Sequence, residues 1–160
     1  MGTTATNWSS IKAEAYFFID GSFDSKAADN VINIATPASD GKKRKVLIVD
    51  DEQVIADTLV EILNDSGFQA TAFYDGATAL EHIRKLCPDT LISDVIMPGM
   101  NGIEVAKAVK KFCPATRIFL FSGQATTVDL VERARKEGHP FELLAKPLHP
   151  QDLLKKLGQE

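Results

Sequence analysis

Val46-Leu47-Ile48-Val49-Asp50-Asp51 is the stretch that decides how this chain folds. Four apolar residues in succession leave no polar face, so the segment reads as a β-strand buried on both sides. Two carboxylates follow it at once. Helical spacing then takes over, with Val54, Leu59, Ile62 and Leu63 recurring as far as Gly67. The same alternation continues downstream. Residues 68–73 are strand-like and 77–86 helical; Thr90-Leu91-Ile92 is a second buried strand and 103–112 a helix carrying Val105, Val109 and Phe112 on one side. Residues 117–121 form a third apolar strand, 128–136 a helix, 141–144 a strand and 148–157 a last helix with Pro150 in its first turn. Five strands alternating with five helices over residues 45–160 predict an α/β domain with right-handed crossovers and a parallel sheet covered on both faces.

The 160 residues have room for one such domain and a tail. A net charge of −4 offers no general attraction to nucleic acid or to an anionic membrane surface. No apolar run approaches the roughly 20 residues of a membrane helix, and the N-terminus lacks the pattern of a secretory signal. A soluble, cytoplasmic protein is expected. Residues 1–44 differ in texture: they are rich in Ser, Thr, Ala, Asp and Asn, and end in the linker-like Ala38-Ser39-Asp40-Gly41-Lys42-Lys43-Arg44. They read as an irregular extension whose five acidic and five basic side chains cancel. Its apolar island Tyr16-Phe17-Phe18-Ile19, followed by Asp20-Gly21 and Phe23, carries a hairpin signal. Matches to myristoylation (Met1-Gly2), glycosylation (Asn7-Trp8-Ser9) and nuclear-address (Lys42-Lys43-Arg44-Lys45) patterns are short enough to arise by chance. Cys87 and Cys113 each precede a proline after a helical pattern, and read as reduced thiols at helix ends.

In a parallel α/β sheet, ligands collect beyond the carboxyl ends of the strands. Those ends carry Asp50-Asp51, Asp94, Ser122-Gly123 and Lys146-Pro147. Three carboxylates in one pocket raise one another's pKa unless a cation offsets them. With no His or Cys at the strand ends, the donors are all oxygen and suit Mg²⁺ better than zinc. Lys146 as a point charge and Ser122 as a hydrogen-bond donor complete a phosphoryl site, with Gly123 leaving the approach open. A carboxylate can attack phosphorus to give an acyl phosphate, a reaction that depends chiefly on positioning and charge neutralisation.

Residues 45–160 resemble the receiver domain of a bacterial two-component response regulator, similar to the stand-alone chemotaxis type. The resemblance rests on Val46-Leu47-Ile48-Val49-Asp50-Asp51-Glu52, on Leu91-Ile92-Ser93-Asp94-Val95-Ile96-Met97-Pro98-Gly99-Met100-Asn101-Gly102, on Phe121-Ser122-Gly123 and on Lys146-Pro147. It implies a doubly wound, flavodoxin-like (βα)5 fold with strand order 2-1-3-4-5. It implies that Asp94 accepts a phosphoryl group from a sensor histidine kinase or phosphotransfer protein, without being an enzyme beyond Mg²⁺-dependent self-phosphorylation and autodephosphorylation. Asp51, Asp94 and the backbone carbonyl of Ile96 would hold Mg²⁺, Asp50 would act through a metal-bound water, and Lys146, its bond to Pro147 cis, would pair with the phosphoryl group. Ser122 would swing toward the phosphate and shift the face of the fourth helix, fifth strand and fifth helix, which would bind a downstream protein or a second copy of the chain. No direct contact with nucleic acid or membrane is implied.

Leu143 stands where the family usually has Tyr or Phe three residues before the lysine, and Phe141 shares its side of the strand only if the strand is regular. Ile96 and Gln124 occupy positions that the family uses to tune self-dephosphorylation; an aliphatic Ile96 cannot orient an attacking water whereas Gln124 could, so the resemblance implies a phosphoryl lifetime governed more by Gln124 than by Ile96. His82, His139 and His149 show no ligand spacing and read as surface or capping residues, Met97 and Met100 as part of a turn, and Leu153, Leu154 and Leu157 as the core face of the last helix. The expected protein is a stand-alone receiver that switches a surface or relays its phosphoryl group. The alternatives are a receiver excised from a longer regulator, a phosphorylation-independent binding module, suggested by Leu143, and a Mg²⁺-dependent phosphatase, which would usually carry an acid at the position of Ile96.

Overall fold

A computed structural model describes residues 42–123 and 126–158. Among them the elements run β1 (Lys45–Val49), α1 (Gln53–Asp65), β2 (Gln69–Phe73), α2 (Gly76–Lys85), β3 (Thr90–Asp94), α3 (Gly102–Phe112), β4 (Arg117–Ser122), α4 (Thr126–Lys136), β5 (Glu142–Ala145) and α5 (Pro150–Gly158). The five strands form one parallel sheet in the order β2-β1-β3-β4-β5. The expected 16–23 hairpin and Gln124 lie outside the described residues.

Alternation along each strand sorts the core into two layers. Leu47, Val49, Leu91, Ile118 and Leu120 face α2, α3 and α4. Val46, Ile48, Ile92, Phe119 and Phe121 face α1 and α5, where Leu153 and Leu157 complete the second layer and Leu154 packs at its margin. Both faces of the sheet are therefore covered, which is why β1 and β4 carry the unbroken apolar runs Val46–Val49 and Ile118–Phe121. Met97, expected in a turn, is buried in the first layer, with Met100 packed against it.

Helix ends follow local chemistry. α1 stops where Gly67 adopts φ 90°, and the Gly67 and Phe68 N–H groups close back on the Asn64 and Leu63 carbonyls. α5 starts at Pro150 and not at Leu148, because a residue before proline is disfavoured in helical conformation. His149 Nδ1 accepts the Gln151 N–H there. His82 packs beside the Phe73 ring and His139 stacks on Phe141.

The reading of Cys87 and Cys113 as separate reduced thiols is overturned. The two are joined as a disulfide with Cα atoms 5.7 Å apart. Each lies just ahead of a strand, and those strands, β3 and β4, are neighbours in the sheet. Equivalent points of adjacent βα units sit one strand spacing apart, close to the separation a disulfide needs.

Asp75 caps α2: its Oδ1 accepts the Thr78 N–H at 2.8 Å and its Oδ2 the Thr78 hydroxyl at 2.7 Å. The hydrogen bond from the Thr78 backbone, then that from its hydroxyl, holds the Asp75 carboxyl below its usual range. Asp75→Ala should cost about 0.5–2 kcal/mol in urea unfolding at pH 7. A group depressed in the folded state stabilises above its unfolded pKa and loses that effect as pH falls through the folded value. The difference between Asp75→Ala and wild type should therefore shrink in acid; a constant difference down to full protonation would contradict it.

Candidate functional site

The register of the sheet determines which residues meet at its carboxyl edge. Val49 lies opposite Ser93, so Asp50, one residue on, comes level with Asp94. Asp94 pairs with Phe121, and Ser122 with Ala145, so Ser122 and Lys146 follow on the next strands. Two further backbone bonds extend the ladders past the strands: Lys146 N–H donates to the Ser122 carbonyl at 2.7 Å and Asp50 N–H to the Phe73 carbonyl at 3.1 Å. Residues almost a hundred positions apart are thereby placed by hydrogen bonds of the main chain.

Carboxylate oxygens of Asp50, Asp51 and Asp94 all lie within 4.8 Å of one another, with Asp50 and Asp94 buried and Asp51 exposed. Lys146 Nζ reaches between the two buried ones, 2.9 Å from Asp50 Oδ2 and 3.4 Å from Asp94 Oδ1. Asp50 is 1% exposed, so its charge needs partners. Its other oxygen accepts the Glu52 N–H at 2.9 Å. Asp94 Oδ1 also accepts the Val95 N–H at 2.9 Å. Burial pushes the Asp94 carboxyl above its ordinary pKa; Lys146 pulls it back, and the neighbouring Asp50 charge adds to the rise. For Lys146 burial works against the charged form, but the hydrogen bond and charge of Asp50, with Asp94 behind them, leave its pKa raised. Among the described residues, one ammonium meets three carboxylates and leaves the pocket short of positive charge. The donor set is entirely oxygen, its oxygens converge, and its open side is at Asp51: the residues fit a hard divalent cation such as Mg²⁺.

The loop after Asp94 is anchored at both ends. Val95 N–H continues the ladder to the Phe121 carbonyl, and Gly102 N–H donates back to the Val95 carbonyl at 3.0 Å. Asn101 then opens α3 with a capping box, its side chain taking the Glu104 N–H while Glu104 takes the Asn101 N–H. Ile96 stands out from this loop, 46% exposed. The Lys146–Pro147 bond is cis, as the resemblance implied.

Ser122 points by alternation toward α4, where its hydroxyl is hydrogen-bonded to that of the fully buried Thr127. Sequence reading did not single out Thr127; a threonine in the first turn of a helix is an ordinary residue until the packing shows what faces it. Gly123 is exposed, and among the described residues a methyl group there would meet the Lys146 side chain, at 3.6 Å. Phe141 and Leu143 both pack against the α2–α4 layer and therefore share a side of β5. With Val128, Val131, Glu132 and Arg135 of α4 they line a groove of about 410 Å³.

Residues 46–158 match the response regulator receiver domain family, and the chain belongs to it. Among curated proteins it is 31% identical over 115 residues to the DNA-binding response regulator MtrA of Mycolicibacterium smegmatis, covering 72% of this chain and 49% of that protein. It is 31% identical over 112 residues to the transcriptional regulatory protein CreB of Escherichia coli, covering 70% and 48%. The chain thus spans about half the length of the curated relatives it matches. Among solved structures, the chemotaxis protein CheY4 of Vibrio cholerae superposes with a TM-score of 0.65 at 33% identity, covering 72% of this chain and 97% of that one. A CheY-like receiver domain protein of Methanospirillum hungatei gives 0.66 at 26% identity, covering 72% and 91%. The chain therefore carries the receiver domain of a two-component response regulator. No described helix is long and apolar enough to cross a membrane.

Gly102 gives this site a steric test. A Cβ built on it would fall 1.9 Å from the Asp94 carbonyl oxygen and 2.9 Å from Ser93 Oγ. Helix propensity alone would favour alanine by up to about 1 kcal/mol. The crowding reverses the sign, and Gly102→Ala should destabilise by about 1–3 kcal/mol in urea unfolding. A more stable variant would show that the loop after Asp94 gives way freely.

Proposed function

We propose that this receiver takes a phosphoryl group on Asp94 from a phosphohistidine of a sensor kinase or phosphotransfer protein, with Mg²⁺ bound. The observation that carries the proposal is the convergence of Asp50, Asp51 and Asp94 on one another with Lys146 between the buried two. Asp51, Asp94 and the Ile96 backbone carbonyl would hold the cation, and Asp50 would act through a water on it. When bound, Mg²⁺ offsets the carboxylates and the negative charge of the incoming phosphoryl oxygens.

The chain's own residues do the rest. A carboxylate oxygen of Asp94 attacks phosphorus; the new P–O bond forms as the P–N bond to imidazole breaks, and the electron pair leaves on the imidazole nitrogen. Lys146, already beside Asp94, pairs with the phosphoryl oxygens. Attack requires the ionised carboxylate, and burial, which raises the Asp94 pKa, also strips the nucleophile of water. Ser122 exchanges its bond with Thr127 for one to the phosphate, and the change passes to α4, which carries Thr127. The surface that responds is the α4-β5-α5 face, grooved beside Leu143, where a downstream protein or a second copy would dock. Gln124 would set the lifetime of the acyl phosphate.

Leu143 favours a second reading, a module that binds through the same face without phosphorylation. Intact mass separates the two. After acetyl phosphate and Mg²⁺ the protein should gain a single phosphoryl group, which does not form when Mg²⁺ is chelated beforehand and is absent from Asp94→Asn. A folded wild-type protein that gains none would sink the phosphoacceptor reading and leave the binding module.

A further inference from the structure

At the end of the sheet opposite the carboxylates, the disulfide between Cys87 and Cys113 joins two places that the rest of the fold also holds together. Cys113 caps α3, its N–H bonded to the Val109 carbonyl at 2.7 Å. Thr116, three residues on, donates its buried hydroxyl to the Pro88 carbonyl at 2.7 Å, and Lys110 Nζ reaches the Thr116 carbonyl at 2.7 Å. The Thr116–Pro88 bond, with the Arg117 N–H donated to the Asp89 carbonyl at 2.9 Å, keeps the turn before β3 against the turn before β4 whether or not the sulfurs are joined. The two cysteines differ in access: Cys113 is 3% exposed, whereas Cys87 is an exposed residue. A pair held together by its surroundings, with one cysteine exposed and the other buried, has the arrangement of a reversible thiol–disulfide couple.

We infer that Cys87 and Cys113 form a redox modification site whose co-reactants are small thiols and dithiols, with Cys87 as the sulfur they attack. A thiolate from solution bonds to Cys87 Sγ; the Sγ–Sγ bond breaks, and its electron pair leaves on Cys113 Sγ, which takes up a proton. A second thiolate, or the second sulfur of a dithiol, attacks the outer sulfur of this mixed disulfide. The reductant departs as its own disulfide, and Cys87 Sγ receives the electron pair and a proton. Two electrons and two protons are taken up, and the reductant is oxidised by the same two electrons. Closure by an oxidised thiol is the reverse.

The 26-residue separation gives the couple a structural consequence. The loop it closes contains all of β3, Asp94, the loop after it and the whole of α3. Closure ties together the two far ends of the segment that presents Asp94; with the bond open those ends are still joined by the Thr116–Pro88 and Arg117–Asp89 bonds, and β3 by its ladders to β1 and β4.

The test uses the full chain, equilibrated under native conditions in reduced or oxidised dithiothreitol, quenched with N-ethylmaleimide and weighed intact. The oxidised sample should carry no maleimide and have lost the two thiol hydrogens; the reduced one should carry label and melt about 10 °C lower. In Cys113→Ser, oxidised glutathione should add once, at Cys87. In Cys87→Ser, Cys113 should take maleimide at least about tenfold more slowly than Cys87 does in Cys113→Ser, until the protein is denatured. Labelling of both cysteines in excess oxidised dithiothreitol, a disulfide that links two chains, or equal labelling rates in the two single variants would overturn the inference. None of these outcomes bears on phosphorylation, which the Asp94 adduct tests separately.

Discussion

Three carboxylates forced together are the constraint on which the rest of this structure depends. Left to themselves, Asp50, Asp51 and Asp94 would repel, and burial pushes the Asp94 carboxyl toward its protonated form. The chain opposes this with main-chain register and with one ammonium. The parallel ladder brings Asp50 level with Asp94, and Lys146, delivered by the last strand, lies against both. Since β5 pairs with β4 through Ser122 and Ala145, the position of that ammonium is inherited from the sheet. A single lysine leaves negative charge uncompensated, and this imbalance is what makes the pocket suited to a cation and then to a phosphoryl group.

The two faces of the sheet divide the remaining work. The α1 and α5 layer is apolar packing around Phe119, Phe121 and Leu153. The other layer contains the polar link by which a change at the pocket could leave it, the paired hydroxyls of Ser122 and Thr127. Beyond that link lies the groove between α4 and β5, with Phe141 and Leu143 on its floor. In the proposed mechanism, charge arriving at Asp94 is read out as a rearrangement of α4 against β5. Leu143 makes the outcome depend on packing in that groove, because it has no aromatic ring to rotate.

Much of this was legible in the sequence, for a physical reason. Strands buried on both faces, Val46–Val49 above all, leave a strong apolar signal, and a parallel sheet places whatever follows each strand on one rim. Asp50, Asp51, Asp94, Ser122 and Lys146 could therefore be assembled without coordinates. What escaped were contacts between side chains of ordinary type. Thr127 matters because Ser122 faces it, and nothing in its own residue type announces that. In the sequence Gly102 is only the last residue of a motif, yet its missing side chain is what lets α3 begin against the Asp94 carbonyl. The cysteines were misread because each was read with the helix it ends, whereas its position ahead of one of two neighbouring strands decided the pairing. Helix limits moved by a residue or two where Pro150 and the Asn101 cap fixed the first turn.

The central claim is that Asp50, Asp51, Asp94 and Lys146 behave as one cation-dependent site and not as separate strand-end residues. It is tested most directly by a Mg²⁺ titration of the full chain followed through backbone amide shifts. The amides of residues 50, 51, 94–96 and 146 should move together with one shared affinity, and Asp51→Asn should weaken all of them at once. Shifts confined to the exposed Asp51, or a different affinity at each strand end, would contradict the account.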